Sequence, residues 1–371
     1  MSAPVYLDYN ATAPARPAAI EAVAGALALS GNPSSVHRFG RQARRIVEEA
    51  RETIAALTGA APAGIIFTSG GTEANVTLLK GLPHRPLLAS AVEHPSILSV
   101  GVDHIVPVDG RGLVDLDALE RLLAADPRPA LVAVMLANNE TGAIQPLPAV
   151  AELGRAYGAW IHCDAVQAAG KMPIEITALG VQSLALSAHK LGGPQGVGAL
   201  VLADGEAALT PLLPGGGQER RRRSGTENVP GIAGFAAAVR ALGDIAAEAT
   251  RLTALRDRLE RDCRQAIPSL VVLAEAAERL PNTSCLAVPG LAAQTLLMAL
   301  DLAGVAVSAG SACSSGKLTP SPVLAAMGEP ALAAAAIRVS MGWASTGADV
   351  DRFVDRFTAI VADLGRGHRA A

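Results

Sequence analysis

Aromatic side chains are scarce in this chain: Phe, Tyr and Trp make up 3% of its 371 residues. A ligand with a flat ring would therefore have to stack on some other kind of side chain. Basic charge is not in excess either. The net charge is −3, which leaves no electrostatic footprint for nucleic acid. No apolar run is as long as a membrane span, and the opening "MSAPVYLDYN" has no charged segment followed by an apolar one. A soluble, cytoplasmic protein is the expectation. The cysteines, Cys163, Cys263, Cys285 and Cys313, stand far apart. Without a CxxC pair a zinc site is not expected, and without a secretion signal neither is a disulfide framework. No GxGxxG follows a strand-like run, which argues against a nicotinamide dinucleotide site.

Hydrophobic residues are plentiful, at 50%, and are mostly Ala, Leu and Val. The length exceeds one ordinary core, so two domains are expected. Short apolar runs such as "GIIFTSGG", "PLLAS", "ALVAVMLANN", "AWIHCDA" and "SLALSAHK" alternate with helix-like segments. The pattern predicts helices over 41–59, 73–80, 116–125 and 147–157. Apolar runs spaced by helices mean a mainly parallel sheet covered on both faces, and "VGALVLA" closes it as a candidate antiparallel strand. One long helical stretch, 229–267, then leads out of the sheet. From Ser269 onward, strands and helices mix as in a smaller α+β domain.

In an open α/β sheet, ligands bind at the carboxyl ends of the strands. Short polar groups recur there. In "TSGGTEAN" a strand gives way to glycines and a helix, so the N–H groups of Gly71 and Thr72 and the Thr72 hydroxyl form an anion cradle suited to phosphate. The spacing is not GxxxxGK[ST], so a nucleotide P-loop is not supported. Asp164 in "HCDAVQ" fits two roles, a helix N-cap or a carboxylate that holds a proton on a heterocyclic nitrogen. Lys190 in "LSAHKLGGPQG" fits either a snorkelling surface lysine or an amine desolvated by apolar walls and freed as a nucleophile. His94 in "AVEHPS" and Asn139 in "LANNETG" complete the set. Together they suit an aldehyde that carries a phosphate and a ring nitrogen. Pyridoxal phosphate needs a lysine, an acid on the pyridine nitrogen and a phosphate cup. With aromatics scarce, His94 is the candidate to stack on its ring.

One motif stands apart. "VSAGSACSSGKLTPS" sets Cys313 among glycines and serines, a composition that makes mobile chain. A buried filler cysteine does not fit there, and a reactive thiol does.

The segments "YLDYNATAP", "GNPSSVHRFG", "FTSGGTEAN", "VEHPS", "NNETG", "HCDAVQAAGK", "SAHKLGGPQGVGAL", "GGGQERRRRSGTENV", "SAGSACSSG" and "IRVSMG" resemble, in order and spacing, the cysteine desulfurases of the NifS/IscS type. These are fold-type I pyridoxal-phosphate enzymes of the class V aminotransferase group. The resemblance covers nearly the whole chain. It implies a large domain over 16–248 with a mainly parallel seven-stranded sheet, and a small α+β domain over 1–15 and 249–371 that carries the cysteine loop. It implies Lys190 as the lysine that joins the cofactor aldehyde. Asp164 and Gln167 would meet the ring nitrogen and ring hydroxyl, and Gly71, Thr72, Ser187 and His189 the phosphate. His94 would stack on the ring and shuttle protons. Asn139 would sit beside cofactor and substrate, while Arg338, with help from Asn10, would take the substrate carboxylate. Thr226 would reach the phosphate of the neighbouring subunit, making the active unit a homodimer. The implied reaction converts L-cysteine to L-alanine and leaves a persulfide on Cys313, to be passed to an acceptor or scaffold protein in iron–sulfur cluster assembly or other sulfur traffic. No resident metal is implied, although Cys313 could transiently hold a cluster.

The chain departs from the family pattern in places. Gly71 stands where alanine is usual, a change expected to keep the turn, and Gln195 stands where lysine is common. The ending "GRGHRAA" lacks a longer scaffold-directed tail, which favours a NifS-like or stand-alone role. The tetra-arginine run, Arg220 to Arg223, is too short for nucleic acid, and the resemblance sets it near the mouth of the site. Rival readings on the same fold are a selenocysteine lyase and an aminotransferase, which would not need Cys313. A rival of another class is a non-catalytic sulfur-carrier subunit, which would not need to keep Lys190 and Asp164.

Overall fold

The computed structural model describes residues 4–82, 85–309 and 319–369, so Cys313 lies outside the described residues. After a short strand β1 (Val5–Tyr6) come the strands of the main sheet: β2 (Ile65–Thr68), β3 (Leu87–Ser90), β4 (His104–Val106), β5 (Leu131–Ala133), β6 (Trp160–Asp164), β7 (Ser183–Ser187) and β8 (Gly198–Leu202). They form a seven-stranded sheet in the order β2-β8-β7-β6-β5-β3-β4. Neighbours from β7 through β4 run parallel, and β8 runs antiparallel to both β7 and β2. All the strands except β8 therefore point the same way.

The side chains show why the sheet is buried on both faces. Alternate residues of a strand point to opposite sides. Ile65, Phe67, Leu88, Val132, Leu184 and Val201 enter one core. Their neighbours Ile66, Leu87, Leu131, Ala185 and Leu200 enter a second core on the other face. The helices Arg38–Thr58, Gly71–Gly81, Leu116–Ala125 and Leu147–Ala156 lie close to the segments the sequence predicts. The first of them stops at Gly59, whose φ of 66° is the left-handed conformation open to glycine.

The long helix expected over 229–267 is instead two helices, Val229–Arg240 and Ile245–Ala266, bent by 78°. The break has a local cause. Gly243 takes a φ of 68°, and the Asp244 side chain accepts from the N–H groups of Ala246 and Ala247, which starts a new helix. Among the described residues no single helix is long and apolar enough to cross a membrane.

A further core gathers Val5 and Leu7 with Leu252, Leu259, Ile337, Val339, Phe353 and Phe357, so the N-terminal segment packs with the C-terminal third of the chain. There β9 (Val271–Val272), β10 (Thr283–Ala287), β12 (Ser308–Ala309) and β13 (Ala336–Ser340) form an antiparallel sheet, and β11 (Val305–Ala306) pairs with β1.

Half of the arginine run is used internally, while Arg220 and Arg221 are exposed. Arg222 is buried and donates to the Ala63 and Gly205 carbonyls, while Arg223 pairs with Glu73 at 2.7 Å. Just before it, Glu219 is buried, accepts two hydrogen bonds from Arg51 at 2.9 Å and a third from the Phe67 N–H. Glu219, Arg220 and Arg221 all have positive φ, from 45° to 65°. Left-handed backbone at three successive non-glycine residues is strained. The buried Glu219–Arg51 pair holds one end of it in place.

Candidate active site

Because all the strands but β8 run one way, their carboxyl ends lie along one edge. β2 leads to Gly71, β3 to His94, β5 to Asn139 and β7 to Lys190, while β6 ends on Asp164 itself. These residues line a single cavity of about 250 Å³, together with Thr72, Gln167, Ser187 and His189.

Lys190 is half-buried, and its Nζ donates to the carbonyls of Asn10 at 2.5 Å and Ala11 at 2.9 Å. The snorkelling alternative does not hold, since the amine turns inward to the N-terminal segment. Asp164 is buried; Oδ1 accepts from the Val166 N–H at 3.0 Å and Oδ2 from Asn75 Nδ2 at 2.8 Å. No helix begins at Asp164, so it is not a helix N-cap. His94 caps a short helix, Pro95–Leu98, with its Nδ1, which faces both the N–H and the hydroxyl of Ser96. Burial lowers its pKa; the Asp164 carboxylate opposes that shift, and the positive charge of Lys190 adds a smaller lowering. His189 Nδ1 meets the Thr12 hydroxyl at 2.7 Å, and burial, helped by Lys190, pushes its pKa down to about 4.

Gly71 opens the helix Gly71–Gly81. A Cβ there would stand 2.7 Å from Val166 Cγ2, so the bare glycine makes room for the valine that follows Asp164. The turn is kept, and the glycine has a packing reason that its motif alone does not reveal.

Asn10 and Arg338 do not line the cavity but sit one bond behind it. Asn10 Nδ2 and Arg338 Nη1 both donate to the Asn139 carbonyl, at 3.2 and 3.1 Å. Thr226 lies elsewhere in the same chain, in a neighbouring cavity with Ser69 and Arg223.

Two site residues escape sequence reasoning. Asn75, on the helix after the glycine turn, touches Asp164 and lines the cavity. Lys171 is buried, and its Nζ donates to Asn10 Oδ1 and Gln167 Oε1, both at 3.0 Å. Burial first, then the positive charges of Lys190 and Arg338, hold its pKa well below the usual lysine range. Both stand inside quoted motifs, but only the folded contacts reveal them.

The three cysteines among the described residues are all buried. Burial pushes the Cys263 thiol up to about 12 and the Cys163 and Cys285 thiols upward as well. None is poised as a thiolate.

The chain matches the family model described as aminotransferase class-V over residues 5–353. It is 44% identical to a cysteine desulfurase of Cereibacter sphaeroides, over 97% of this chain and 96% of that one. It is 40% identical to the cysteine desulfurase IscS of Dictyoglomus turgidum, over 98% of this chain and 96% of that one. Its fold matches the crystal structure of a NifS-like protein from Rickettsia africae with a TM-score of 0.91 and 35% identity, covering 97% of this chain and 99% of that one. The chain belongs to the class-V aminotransferase family and, within it, groups with the cysteine desulfurases of the NifS and IscS kind.

Proposed function

We propose that this protein is a pyridoxal-phosphate-dependent cysteine desulfurase. The observation that carries the reading is that the Lys190 amine and the Asp164 carboxylate open on one cavity whose wall is the start of a helix. That donor set fits the cofactor: an amine for its aldehyde, an acid for its ring nitrogen, and a helix N-terminus for its phosphate. Bound there, pyridoxal phosphate supplies an aldehyde that bonds an amine and a ring that draws electrons from the adjoining carbon.

The chain's own residues have the remaining roles. Gly71 and Thr72, with Ser187 and His189, hold the phosphate. Asp164 would keep a proton on the ring nitrogen, Gln167 would serve the ring hydroxyl, and His94 would serve the ring itself. Lys190 anchors the aldehyde and moves the proton at the substrate Cα. Arg338, set by Asn10 and Asn139, takes the substrate carboxylate through its planar fork. Cys313, as thiolate, attacks the sulfur of L-cysteine. The substrate C–S bond breaks, an S–S bond forms, and Cβ keeps the electron pair and gains a proton, giving L-alanine and a persulfide. The high thiol pKa values of the other cysteines favour Cys313 by contrast.

The same reading takes the protein as a cytoplasmic homodimer in which Thr226 reaches the cofactor phosphate of the partner, and which hands sulfur to an acceptor or scaffold protein. Apolar side chains left in solvent near the N-terminal helices, Leu27, Val36 and Phe39, support a covered face there. The test is a visible spectrum of protein supplied with pyridoxal phosphate, followed by an alanine assay with L-cysteine. The wild type should show a cofactor band and form alanine, and Lys190→Ala should do neither. A band unchanged by Lys190→Ala contradicts the assignment.

A further inference from the structure

Behind Asp164 runs a chain of mostly buried polar side chains, of which the proposed chemistry uses only the His94 end. Trp160 Nε1 lies 3.0 Å from Ser183 Oγ. Ser183 Oγ lies 2.9 Å from His162 Nδ1, and His162 Nε2 lies 2.9 Å from Asn75 Oδ1. Asn75 Nδ2 then divides its two hydrogens between Asp164 Oδ2 at 2.8 Å and Ser96 Oγ at 2.9 Å. Ser96 Oγ lies 2.8 Å from His94 Nδ1. Ser183 and His162 are fully buried, and Asn75 nearly so.

The two ends, with the burial of His162, set the direction of the bonds. An indole N–H can only donate, so Ser183 accepts from Trp160 and has its own proton left for His162 Nδ1. A carboxylate can only accept, so the Asn75 amide nitrogen faces Asp164 and its oxygen faces His162. His162 therefore carries a hydrogen on Nε2, which donates to Asn75 Oδ1. Burial, which pushes the pKa of His162 down to about 3, keeps the ring neutral and leaves Nδ1 to accept from Ser183. At the other branch, Ser96 accepts from Asn75 and donates to His94 Nδ1. When His94 is neutral, its hydrogen is therefore on Nε2.

Resting on the proposed cofactor chemistry, we infer that Asn75 is a positioning residue that couples the Asp164 carboxylate to the His94 ring, and that His162 positions Asn75. One amide thereby sets two groups of the site at once. Turning the amide over would place its oxygen against the carboxylate and its hydrogens against the Nε2–H of His162. His162 makes that orientation costly.

The test uses the full-length protein. A ¹⁵N-histidine spectrum at pH 7, with His162 assigned by comparison with His162→Gln among the seven histidines, is expected to show a neutral ring with hydrogen on Nε2. A ring with hydrogen on Nδ1, or a charged ring, overturns the relay. The second readout is the affinity for pyridoxal phosphate and the position of its absorbance band. Asn75→Leu and His162→Phe should weaken cofactor binding by about tenfold to a hundredfold, the range for losing a hydrogen bond to a charged group, and shift the band. Glutamine can donate to Asn75 and accept from Ser183 in the same direction, so His162→Gln should keep both affinity and band near wild type. Leu78→Ala, on the same helix, should lower the melting temperature without moving the band. Equal losses in His162→Phe and His162→Gln, or an unchanged band in Asn75→Leu, overturn the proposal. A wild type that takes up no pyridoxal phosphate overturns the cofactor reading itself, and that result is separate from the histidine spectrum.

Discussion

Arg338, one bond behind the cavity, is already held: its Nη2 donates to Asp8 Oδ1 at 2.7 Å. Nη1 donates to the Asn139 carbonyl at 3.1 Å, and Nε is buried with no hydrogen-bond partner among the described residues. Asp8, two residues before Asn10, thus fixes the guanidinium plane.

Two substitutions separate aim from charge. Arg338→Lys keeps the charge but loses the fork, and should raise the KM for L-cysteine at least about tenfold. Asp8→Ala leaves a buried guanidinium without its counter-charge, and should cost on the order of 3–5 kcal/mol of stability in urea unfolding. An unaltered KM in Arg338→Lys removes the substrate role from Arg338. An unaltered urea midpoint in Asp8→Ala removes the structural role from the pair.

The contact between Gly71 and Val166 gives a double-mutant cycle. Gly71→Ala alone drives a methyl group into Val166 and should destabilise the fold by about 1–3 kcal/mol. Val166→Ala makes room, so the double variant should recover part of that loss, with a coupling of about 0.5–3 kcal/mol. Strict additivity in urea unfolding would show that the valine moves aside freely.

Glu93, next to His94, supplies a pH test. Burial first, with a contribution from Asp164, pushes its pKa up to about 8, against the Ser90 hydroxyl and Met135 N–H that its Oε1 accepts. A raised carboxyl pKa means that the folded state holds a proton that the unfolded chain has lost. The associated stability is full below the unfolded value and falls as pH rises through about 8. Glu93→Gln removes that loss. The melting temperature of Glu93→Gln relative to wild type should therefore climb from pH 5 to about 8 and level off above it. Parallel curves would show that Glu93 does not titrate in this range.

The meeting of Lys190, Asp164, Gly71 and His94 on one cavity was legible in the sequence because each follows an apolar run that had to be a strand, and all strands but one share a direction. The antiparallel β8 was legible as well. Asn75, His162 and Lys171 were not. Their meaning lies in contacts across 87 residues in the chain for Asn75 with His162, and across 161 for Lys171 with Asn10, which no local pattern encodes. The same holds for Asp8, whose partner Arg338 is 330 residues away. The break within 229–267 differs in kind. Gly243 and Asp244 are local stop and start signals, outweighed in the sequence by the apolar periodicity on either side of them.

The account stands most directly on where the sulfur of L-cysteine goes. Protein loaded with pyridoxal phosphate is mixed with L-cysteine, quenched, digested without reductant, and the cysteine peptides are weighed. The peptide that contains Cys313 should carry one extra sulfur, with L-alanine formed alongside, and those of Cys163, Cys263 and Cys285 should carry none. Alanine formed without added sulfur on Cys313, or full sulfide release by Cys313→Ser, would contradict it.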